Sequence, residues 1–329
     1  MGARSAADYD DPVSQEPTMA AHAKYERLIQ SCKDLPPLPV AVAHPCDASS
    51  LGGAIEAAGM GLIAPILVGP RARIETVAAE LAISIDGCEL VEAPFSEAAA
   101  EIAVGLVREG RAEALMKGSL HTDELMAAVV KRDAGMRTAR RISHCFVMDV
   151  PGHEQAMIIT DAAINIAPTL EDKVHIVQNA IDLAHALMVD DVRVAILSAM
   201  ETVNPKVPST LEAAAICKMV DRHQITGALV DGPLALDNAI DIEAATIKRI
   251  DSPVAGRANV LVVPDLEAGN MLAKSLSFLA GADSAGIVLG ARVPIILTSR
   301  ADSVLSRLAS CAVAALVARA RRENAKILG

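Results

Sequence analysis

The sequence predicts an α/β protein made of parallel strands and covering helices. Two observations lead to this fold class: short apolar runs rich in Val and Ile recur along the chain, and most are followed by a longer Ala-rich segment with helical spacing. Such alternation is typical of a parallel sheet that is buried on both faces. The 329 residues are enough for two domains, with a core that needs no disulfide or metal to hold it.

The first elements follow a polar leader without pattern at residues 1–18. A helix is predicted from there to the Pro36–Pro37 pair, because proline ends a helix. A strand at PVAVAH then precedes a helix over 47–59, and a strand at LIAPILVG precedes a helix over 71–82. Residues 1–38 are therefore assigned to a polar leader and first helix that precede the alternating part.

The alternation continues towards the carboxyl terminus with one interruption. Strands are predicted at EALMKG, VRVAILSA, GALVDG, ANVLVVP and PIILTS, with a helix after each of them and a long final helix. Between Arg141 and Asp161, two strand-like runs are joined by PGHEQ, which favours a β-hairpin. The hairpin marks the predicted junction between two domains.

Composition indicates which classes of partner and metal site to exclude, and which cellular location to expect. A net charge of −11 and only five aromatic residues argue against a nucleic-acid partner. The six cysteines show no CxxC pair and the eight histidines show no paired ligand spacing, so we expect reduced thiols, no metal and a cytoplasmic location. No stretch has the ~20 apolar residues of a membrane-spanning helix, and the amino terminus lacks a signal-peptide pattern, so no membrane partner is expected.

Candidate chemistry lies where predicted strands end, because ligands of open α/β sheets bind at the carboxyl ends of strands. The phosphate loop, the GxGxxG turn, the GxSxG elbow and the HExxH helix are all absent. After the strand PIILTS, Ser299 and Arg300 occupy a turn, and Asp302 is the expected N-cap of a helix from Ser303. A hydroxyl, a guanidinium and a helix N-terminus would then bind an anion, although an ordinary capped helix start would show the same pattern.

Other strand ends carry polar residues with two interpretations each. Asp265 and Gly269 have two interpretations. Either they form a site with Asn270 and Lys274, or Asp265 caps the helix and Gly269 permits its close packing on the sheet. Lys117 either meets an anion or is solvated, and Thr122 is a candidate cap for the helix that follows. Two further sets allow a substrate role or a bland one, either a turn or a solvated face. They are Asp161 with Asn165, and the basic run of Arg137, Arg140 and Arg141.

Six segments together resemble the phosphate acetyltransferase and phosphate butyryltransferase family, in the same order and at similar spacing, from Pro39 to the carboxyl terminus. The resemblance implies reversible transfer of a short acyl group, acetyl before butyryl, between coenzyme A and inorganic phosphate, without cofactor or metal. It also implies two α/β domains of the isocitrate/isopropylmalate dehydrogenase type, with a cleft between 39–149 plus 294–329 and 150–293, and a homodimer. The segments are KGSLHTDELMAAV, ITDAAINIAPTLEDK, SAMETVNPKVPST, DGPLALDNAI, SPVAGRANVLVVPDLEAGNMLAK and PIILTSRADS.

The same resemblance implies roles for individual residues. Ser299 would donate to the tetrahedral oxyanion and Arg300 would hold the phosphoryl oxygens, as fixed donors and a bidentate cation do. In the acetyl branch an Asp follows the Ser by seven residues, and Ser306 stands there in this sequence, so Asp302 is the expected general base. The motifs of the resemblance also place a further group in substrate binding. These are Lys117, Thr122, Arg137, Asp161, Asp265, Gly269, Asn270 and Lys274.

Two other classes compete with this one. Decarboxylating hydroxyacid dehydrogenases are similar in architecture, but they need metal-binding Asp clusters and nicotinamide contacts that this sequence lacks. A non-catalytic module that senses acyl-CoA would not need Ser299 and Arg300, and the sequence has both. The first prediction therefore remains an acyltransferase whose substrates are acetyl-CoA, phosphate and acyl phosphate.

Overall fold

A computed structural model describes residues 23–132, 135–299 and 302–324. Within these residues, eleven strands form a single sheet with the order β3-β2-β1-β4-β11-β10-β5-β6-β9-β7-β8. The strands are β1 Leu38–Ala43, β2 Ile63–Gly69, β3 Glu89–Glu92, β4 Ala114–Lys117, β5 Ser143–Asp149, β6 Met157–Thr160, β7 Arg193–Leu197, β8 Leu229–Leu234, β9 Val260–Val262, β10 Asp283–Leu289 and β11 Ile295–Ile296.

Eleven helices of the described residues cover the sheet. They are α1 Ala23–Gln30, α2 Ala48–Gly59, α3 Arg71–Glu80, α4 Ser96–Arg108, α5 Thr122–Val130, α6 Leu170–Ala186, α7 Pro208–Asp221, α8 Leu236–Ile240, α9 Ile242–Ile247, α10 Leu266–Leu279 and α11 Val304–Glu323. None of the helices in the described ranges is long and apolar enough to cross a membrane. The mixed α/β class and the mostly parallel sheet expected from the sequence are therefore confirmed.

The direction of the sheet reverses near its middle. Strands β1, β2, β3, β4 and β11 run parallel to one another, and β6, β7, β8 and β9 form a second parallel set. Between the sets, β10 is antiparallel to both β11 and β5, and β5 is antiparallel to β6. The two sets consequently run in opposite directions, and the strands that join them are β10 and β5.

Helix α11 and strand β1 are among the most buried elements of the described residues. Helix α11 carries small and branched apolar residues on nearly every side, and Leu316 and Val317 are fully buried. Strand β1 lies between β2 and β4, with Val40 and Val42 fully buried. A strand covered on both faces reads as a continuous apolar run, which is why the sequence predicts β1 directly.

Most predicted elements are confirmed, including the hairpin of β5 and β6, and five elements had no prediction: β3, α4, α6, α8 and β10. Strand β3 is a partly exposed edge strand with only two apolar residues, and α4 follows it. Helix α6 starts with a Thr169–Asp172 capping box after a long loop. Strand β10 begins with Asp283 and Ser284 and contains Gly286, so only a short apolar run is left to mark it as a strand.

Candidate active site

A cleft of about 660 Å³ opens on one face of the sheet, above the two strands at which the direction reverses. Its floor includes residues of β5 and β10, and its walls come from α10, the β4–α5 loop and the β11–α11 turn. Six of the eleven residues that the sequence predicts for the site line this cleft. They are Lys117, Thr122, Asn270, Lys274, Ser299 and Asp302.

The main chain of Ser299 is held on both sides. Its N–H donates to the Asp302 carboxylate at 2.6 Å, and its carbonyl oxygen accepts from the buried Arg307 guanidinium at 3.3 Å. Two residues earlier, the Leu297 N–H donates to Gly286 of β10 at 3.1 Å. The turn is thus fixed through backbone contacts, and the Ser299 residue lines the cleft. Arg300, the predicted phosphoryl ligand, lies outside the described residues.

Asp302 does not cap α11, so that prediction is wrong. The N-cap is Ser303, whose hydroxyl accepts the Ser306 N–H at 3.0 Å. Burial raises the pKa of Asp302 above its usual value, and the charge of Asp283 adds to the shift, while the Ser299 N–H opposes it. A half-buried carboxylate with a raised pKa in a cleft is suited to accept a proton.

Asp283 is a second cleft carboxylate that the sequence did not reveal. It accepts hydrogen bonds from the hydroxyls of Ser303 at 2.9 Å and Ser306 at 3.2 Å. Ser306 stands where the resemblance would put an Asp. The carboxylate next to this position is that of Asp283, which comes from β10. Because β10 was not predicted, nothing in the sequence pattern linked Asp283 to α11.

Lys117 and Thr122 enter the cleft from the β4–α5 loop. Lys117 ends β4 and is half-buried, and its ammonium group donates to the Gly118 carbonyl at 3.3 Å. A β-carbon at Gly118 would lie 2.3 Å from the Ala43 carbonyl oxygen, so this close turn requires glycine. The predicted cap at Thr122 is wrong, because the N-cap of α5 is His121, whose N–H donates to the Glu124 carboxylate.

Helix α10 contributes to the cleft through its second and third turns. Asp265 caps the helix by accepting the Ala268 N–H at 2.9 Å. A β-carbon at Gly269 would lie 2.7 Å from Val263 Cγ2, so the glycine permits close packing of helix on sheet. Neither residue lines the cleft, whereas Asn270 and Lys274 do. The structural interpretation of Asp265 and Gly269 accounts for their contacts, and their predicted role in substrate binding stays a prediction.

Asp161 is buried below the cleft and organises the loop after β6. Its carboxylate accepts the N–H groups of Ala163 and Ile164 at 3.0 Å each, and both the N–H and the side-chain amide of Asn165. Ala163 in turn lines the cleft. These bonds are the turn contacts that the sequence allowed as one alternative, and a direct role of Asp161 in binding substrate stays a prediction.

The predicted basic run lines a second cavity, of about 740 Å³, which shares Thr122 and Ala163 with the cleft. Arg140 is paired with Asp182 at 3.2 Å, and Arg141 contacts Asp172 and Asn165. Arg137 is exposed on the same wall. The structure thus places Arg137 beside the cleft and not within it.

Thiols and metal ligands show no comparable grouping. All six cysteines are free, and none lines the cleft. Burial raises the pKa of Cys145 and of Cys311 to about 12, which leaves both as protonated thiols at neutral pH. Among the residues that the structure describes, no three His, Cys, Asp or Glu side chains are placed to hold a metal ion.

Comparison with known proteins identifies the family. The model of the family described as "Phosphate acetyl/butaryl transferase" matches residues 95–315, which include the β4–α5 loop, β10 and the β11–α11 turn. The chain belongs to this family. A phosphate acetyltransferase of Rhizobium meliloti is 66% identical over 94% of this chain and 97% of its own length. A phosphate butyryltransferase of Clostridium acetobutylicum is 38% identical over 89% of this chain and 98% of its own.

Solved structures agree with this membership. A branched-chain phosphotransacylase from Enterococcus faecalis has a TM-score of 0.75 and 31% identity, and the match covers 85% of this chain and 99% of that one. A phosphotransacetylase from Streptococcus pyogenes has a TM-score of 0.78 at 22% identity, covering 92% and 99%, which supports the fold alone. The resemblance that the sequence motifs indicated is therefore confirmed at the level of family, and with it the expectation of a phosphate acyltransferase.

Proposed function

We propose that this phosphate acyltransferase transfers an acetyl group between coenzyme A and inorganic phosphate, and that the cleft beside Ser299 is its active site. The observation that carries the proposal is the convergence of Ser299, Asp302 and Lys117 on one cleft. A fixed hydroxyl, a carboxylate of raised pKa and an ammonium group are the groups that acyl transfer to or from a phosphate requires.

Substrate binding divides between the two adjoining cavities. In the cleft, Lys117 and, by resemblance, Arg300 would hold the phosphoryl oxygens, and Asn270 and Lys274 of α10 face the same space. We assign the phosphates of coenzyme A to the second cavity, which Arg137 lines and which lies beside the reaction centre. A long substrate with phosphates at one end and a thiol at the other suits two adjoining cavities that share Thr122 and Ala163.

The chemical step is a direct attack within a ternary complex. Asp302 accepts the thiol proton of coenzyme A as the sulfur forms a bond to the carbonyl carbon of acetyl phosphate. The hydroxyl of Ser299 donates to the oxyanion, and collapse of the tetrahedral intermediate breaks the bond to the phosphate oxygen and releases phosphate. A thiol of pKa ~8.5 needs such a base at neutral pH, and the raised pKa of Asp302 narrows the gap between the two groups.

A covalent acyl-cysteine does not fit this geometry. The cysteines lie outside the cleft, and burial raises the pKa of Cys32 and Cys46 to about 11 as well. Incubation with labelled acetyl-CoA in the absence of phosphate should therefore leave no acid-stable label on the protein. A labelled cysteine peptide would contradict the direct mechanism.

The first test is a thiol-release assay with acetyl-, propionyl- and butyryl-CoA, with and without phosphate, on the wild type and on Arg300→Ala. Phosphate-dependent release of coenzyme A that the substitution abolishes would support the proposal and rank the acyl groups. We expect acetyl-CoA to be preferred, because the acetyltransferase relative is 66% identical and the butyryltransferase relative 38%. No release with any thioester, together with binding of acetyl-CoA, would favour a sensing module instead.

Acyl transfer changes no oxidation state, and only the acyl group moves, between the sulfur of coenzyme A and an oxygen of phosphate. We therefore propose that the reaction needs no cofactor and no metal. Full activity after dialysis against a chelator would support this. We also propose a cytoplasmic location, which the six unpaired thiols favour.

For the architecture, we propose two domains of the isocitrate/isopropylmalate dehydrogenase type, 39–149 plus 294–329 and 150–293. Reversal of the sheet direction at β10 and β5 supports a division near this point. A 4-hydroxythreonine-4-phosphate dehydrogenase from Burkholderia phymatum shares the fold at a TM-score of 0.52 and 13% identity.

We propose a homodimer as well, supported by the apolar residues Met271, Phe278 and Leu279, which are 63%, 77% and 86% exposed on α10. Light scattering of Leu279→Arg would test it.

A further inference from the structure

His144 forms part of the cleft floor and has no role in the mechanism above. His144 lies on β5, is fully buried, and is one of the residues that line the cleft. Within the described part of the chain, neither Nδ1 nor Nε2 of its ring has a hydrogen-bond partner. A neutral imidazole always carries one N–H donor, and a buried donor without an acceptor has lost its hydrogen bond to water without replacing it. An apolar side chain at this position would therefore suit the fold better.

The surroundings fix the ring beside the strands that lead to Ser299. The ring meets that of Phe146 edge to face, with centroids 4.3 Å apart and planes at 74°. On β10, a β-carbon at Gly286 would lie 3.2 Å from His144 Nε2 and 2.2 Å from the Leu297 carbonyl oxygen. Because Gly286 has no side chain, the Nε2 edge of the ring can lie close to β10 at this point. Leu297, on the other side of Gly286, is two residues before Ser299.

The charge near the ring belongs to Asp161. Its carboxylate already accepts N–H groups from Ala163, Ile164 and Asn165, so it is satisfied without the imidazole. Burial lowers the pKa of His144 to about 4, although the charge of Asp161 opposes the shift. At neutral pH the ring is therefore an uncharged donor and not a cation or an effective base.

We propose that His144 is a further substrate-binding residue, whose ring N–H donates a hydrogen bond to an oxygen of the reacting acyl phosphate. The inference rests on the proposed function, because it assumes that this substrate enters the cleft. Carbonyl and phosphoryl oxygens both accept such a bond, and an uncharged donor stabilises either of them without competing with Asp302 for a proton. The ligand would satisfy the donor that the fold leaves without a partner.

The test compares His144→Phe with the wild type in both directions of the reaction. Phe keeps a ring of similar shape and removes the donor, so kcat/KM for acetyl phosphate should fall about 10- to 100-fold, as loss of one hydrogen bond to a charged group does. A rise in KM for phosphate and acetyl phosphate at unchanged kcat would place the bond on a phosphoryl oxygen. A fall in kcat would place it on the carbonyl oxygen.

Stability separates this role from a structural one. Because the substitution removes a buried polar group that has no protein partner, the Tm of His144→Phe should equal or exceed that of the wild type. His144→Gln or His144→Asn, which keep an N–H donor, should recover part of the activity. Met148→Leu is the matched control, since Met148 is buried on the same face of β5 and does not line the cleft.

A direct readout uses protein labelled with ¹⁵N in its histidines. The ring signals of His144, assigned by their loss in His144→Gln, should shift on addition of acetyl phosphate or inorganic phosphate. Wild-type kcat and KM in His144→Phe, or unmoved ring signals at saturating acetyl phosphate, would overturn the inference while leaving the proposed function intact. An inactive wild type would instead contradict the proposed function itself.

Discussion

Two strand-to-helix junctions look alike in the sequence and do different work in the structure. The β9–α10 junction and the β11–α11 junction each place an Asp beside the start of a helix. Asp265 caps α10 by accepting the Ala268 N–H. Asp302 caps nothing, because Ser303 caps α11, and its carboxylate accepts the Ser299 N–H inside the turn.

The residue after each Asp explains the difference. Leu266 follows Asp265 and has no group that could cap, so the carboxylate must satisfy the helix itself. Ser303 follows Asp302 and satisfies the first turn of α11 with its hydroxyl. A second capping residue thereby releases a carboxylate for the cleft. One junction is structural in its first turn, and the other presents its first residues to the cleft.

The largest expected effect at the β11–α11 junction is that of Ser299→Ala. Its backbone bonds to Asp302 and Arg307 do not involve the side chain, so the turn should persist. Loss of the proposed donor to the oxyanion should lower kcat about 10²- to 10³-fold. Steady-state kinetics in both directions, with Tm as the measure of folding, would check this. A fall of less than threefold would remove Ser299 from the chemistry.

Asp302→Asn tests the released carboxylate and should lower kcat about 100-fold, since it removes the proposed general base. In the wild type, kcat/KM should rise with pH as Asp302 loses its proton, above its usual pKa of 3.8. The variant should lack this rise. A pH profile that is the same in both proteins would transfer the base to another group, and Asp283→Asn is the matched comparison because Asp283 is the neighbouring cleft carboxylate.

The same substitution has a predicted sign for stability. Because the pKa of Asp302 is raised in the folded protein, the folded state favours its protonated form, and this contribution is lost as the pH rises through the folded pKa. At neutral pH the charged carboxylate therefore opposes folding. Asn keeps an acceptor for the Ser299 N–H without the charge, so Tm at pH 7 should be unchanged or higher, with the difference vanishing near pH 3.

The two junctions also show what the sequence could predict. Strong apolar runs such as β1 and the cap at Asp265 follow from local pattern, because their causes lie within a few residues. The site motifs at Lys117 and Ser299 followed from resemblance, and the structure brings both to one cleft.

Contacts between distant elements could not be predicted in this way. Asp283 meets Ser306 from a strand 23 residues earlier, and Arg307 packs its side chain against Gly53 of α2. His144 looked like one of several dispersed histidines until β10 placed Gly286 beside it. Each of these depends on how strands are ordered in the sheet, which local spacing does not encode.

Gly269→Ala probes the structural junction. The new methyl group would lie 2.7 Å from Val263 Cγ2 and 3.0 Å from the Asp161 carbonyl oxygen, so α10 must shift and stability should fall by about 2 kcal/mol. Gly105→Ala is the matched control, since Gly105 is also a helical glycine and nothing lies within 4 Å of its β-carbon position. The control should gain about 0.5–1 kcal/mol. Equal effects in urea unfolding would refute the packing argument.

The smallest expected effect is a change in stability, and it distinguishes Asp265 from Asp302 most directly. Asp265→Ala removes a cap and should cost about 1 kcal/mol, and Ser303→Ala should cost about the same at the other junction. Asp302→Ala removes no cap, so its loss of stability should be smaller than either, while its loss of activity should be the greatest of the three. Urea unfolding and thiol-release rates measured on all three variants would check this. If Asp302→Ala destabilised the protein as much as Ser303→Ala, the carboxylate would be holding the helix after all, and the distinction between the two junctions would fail.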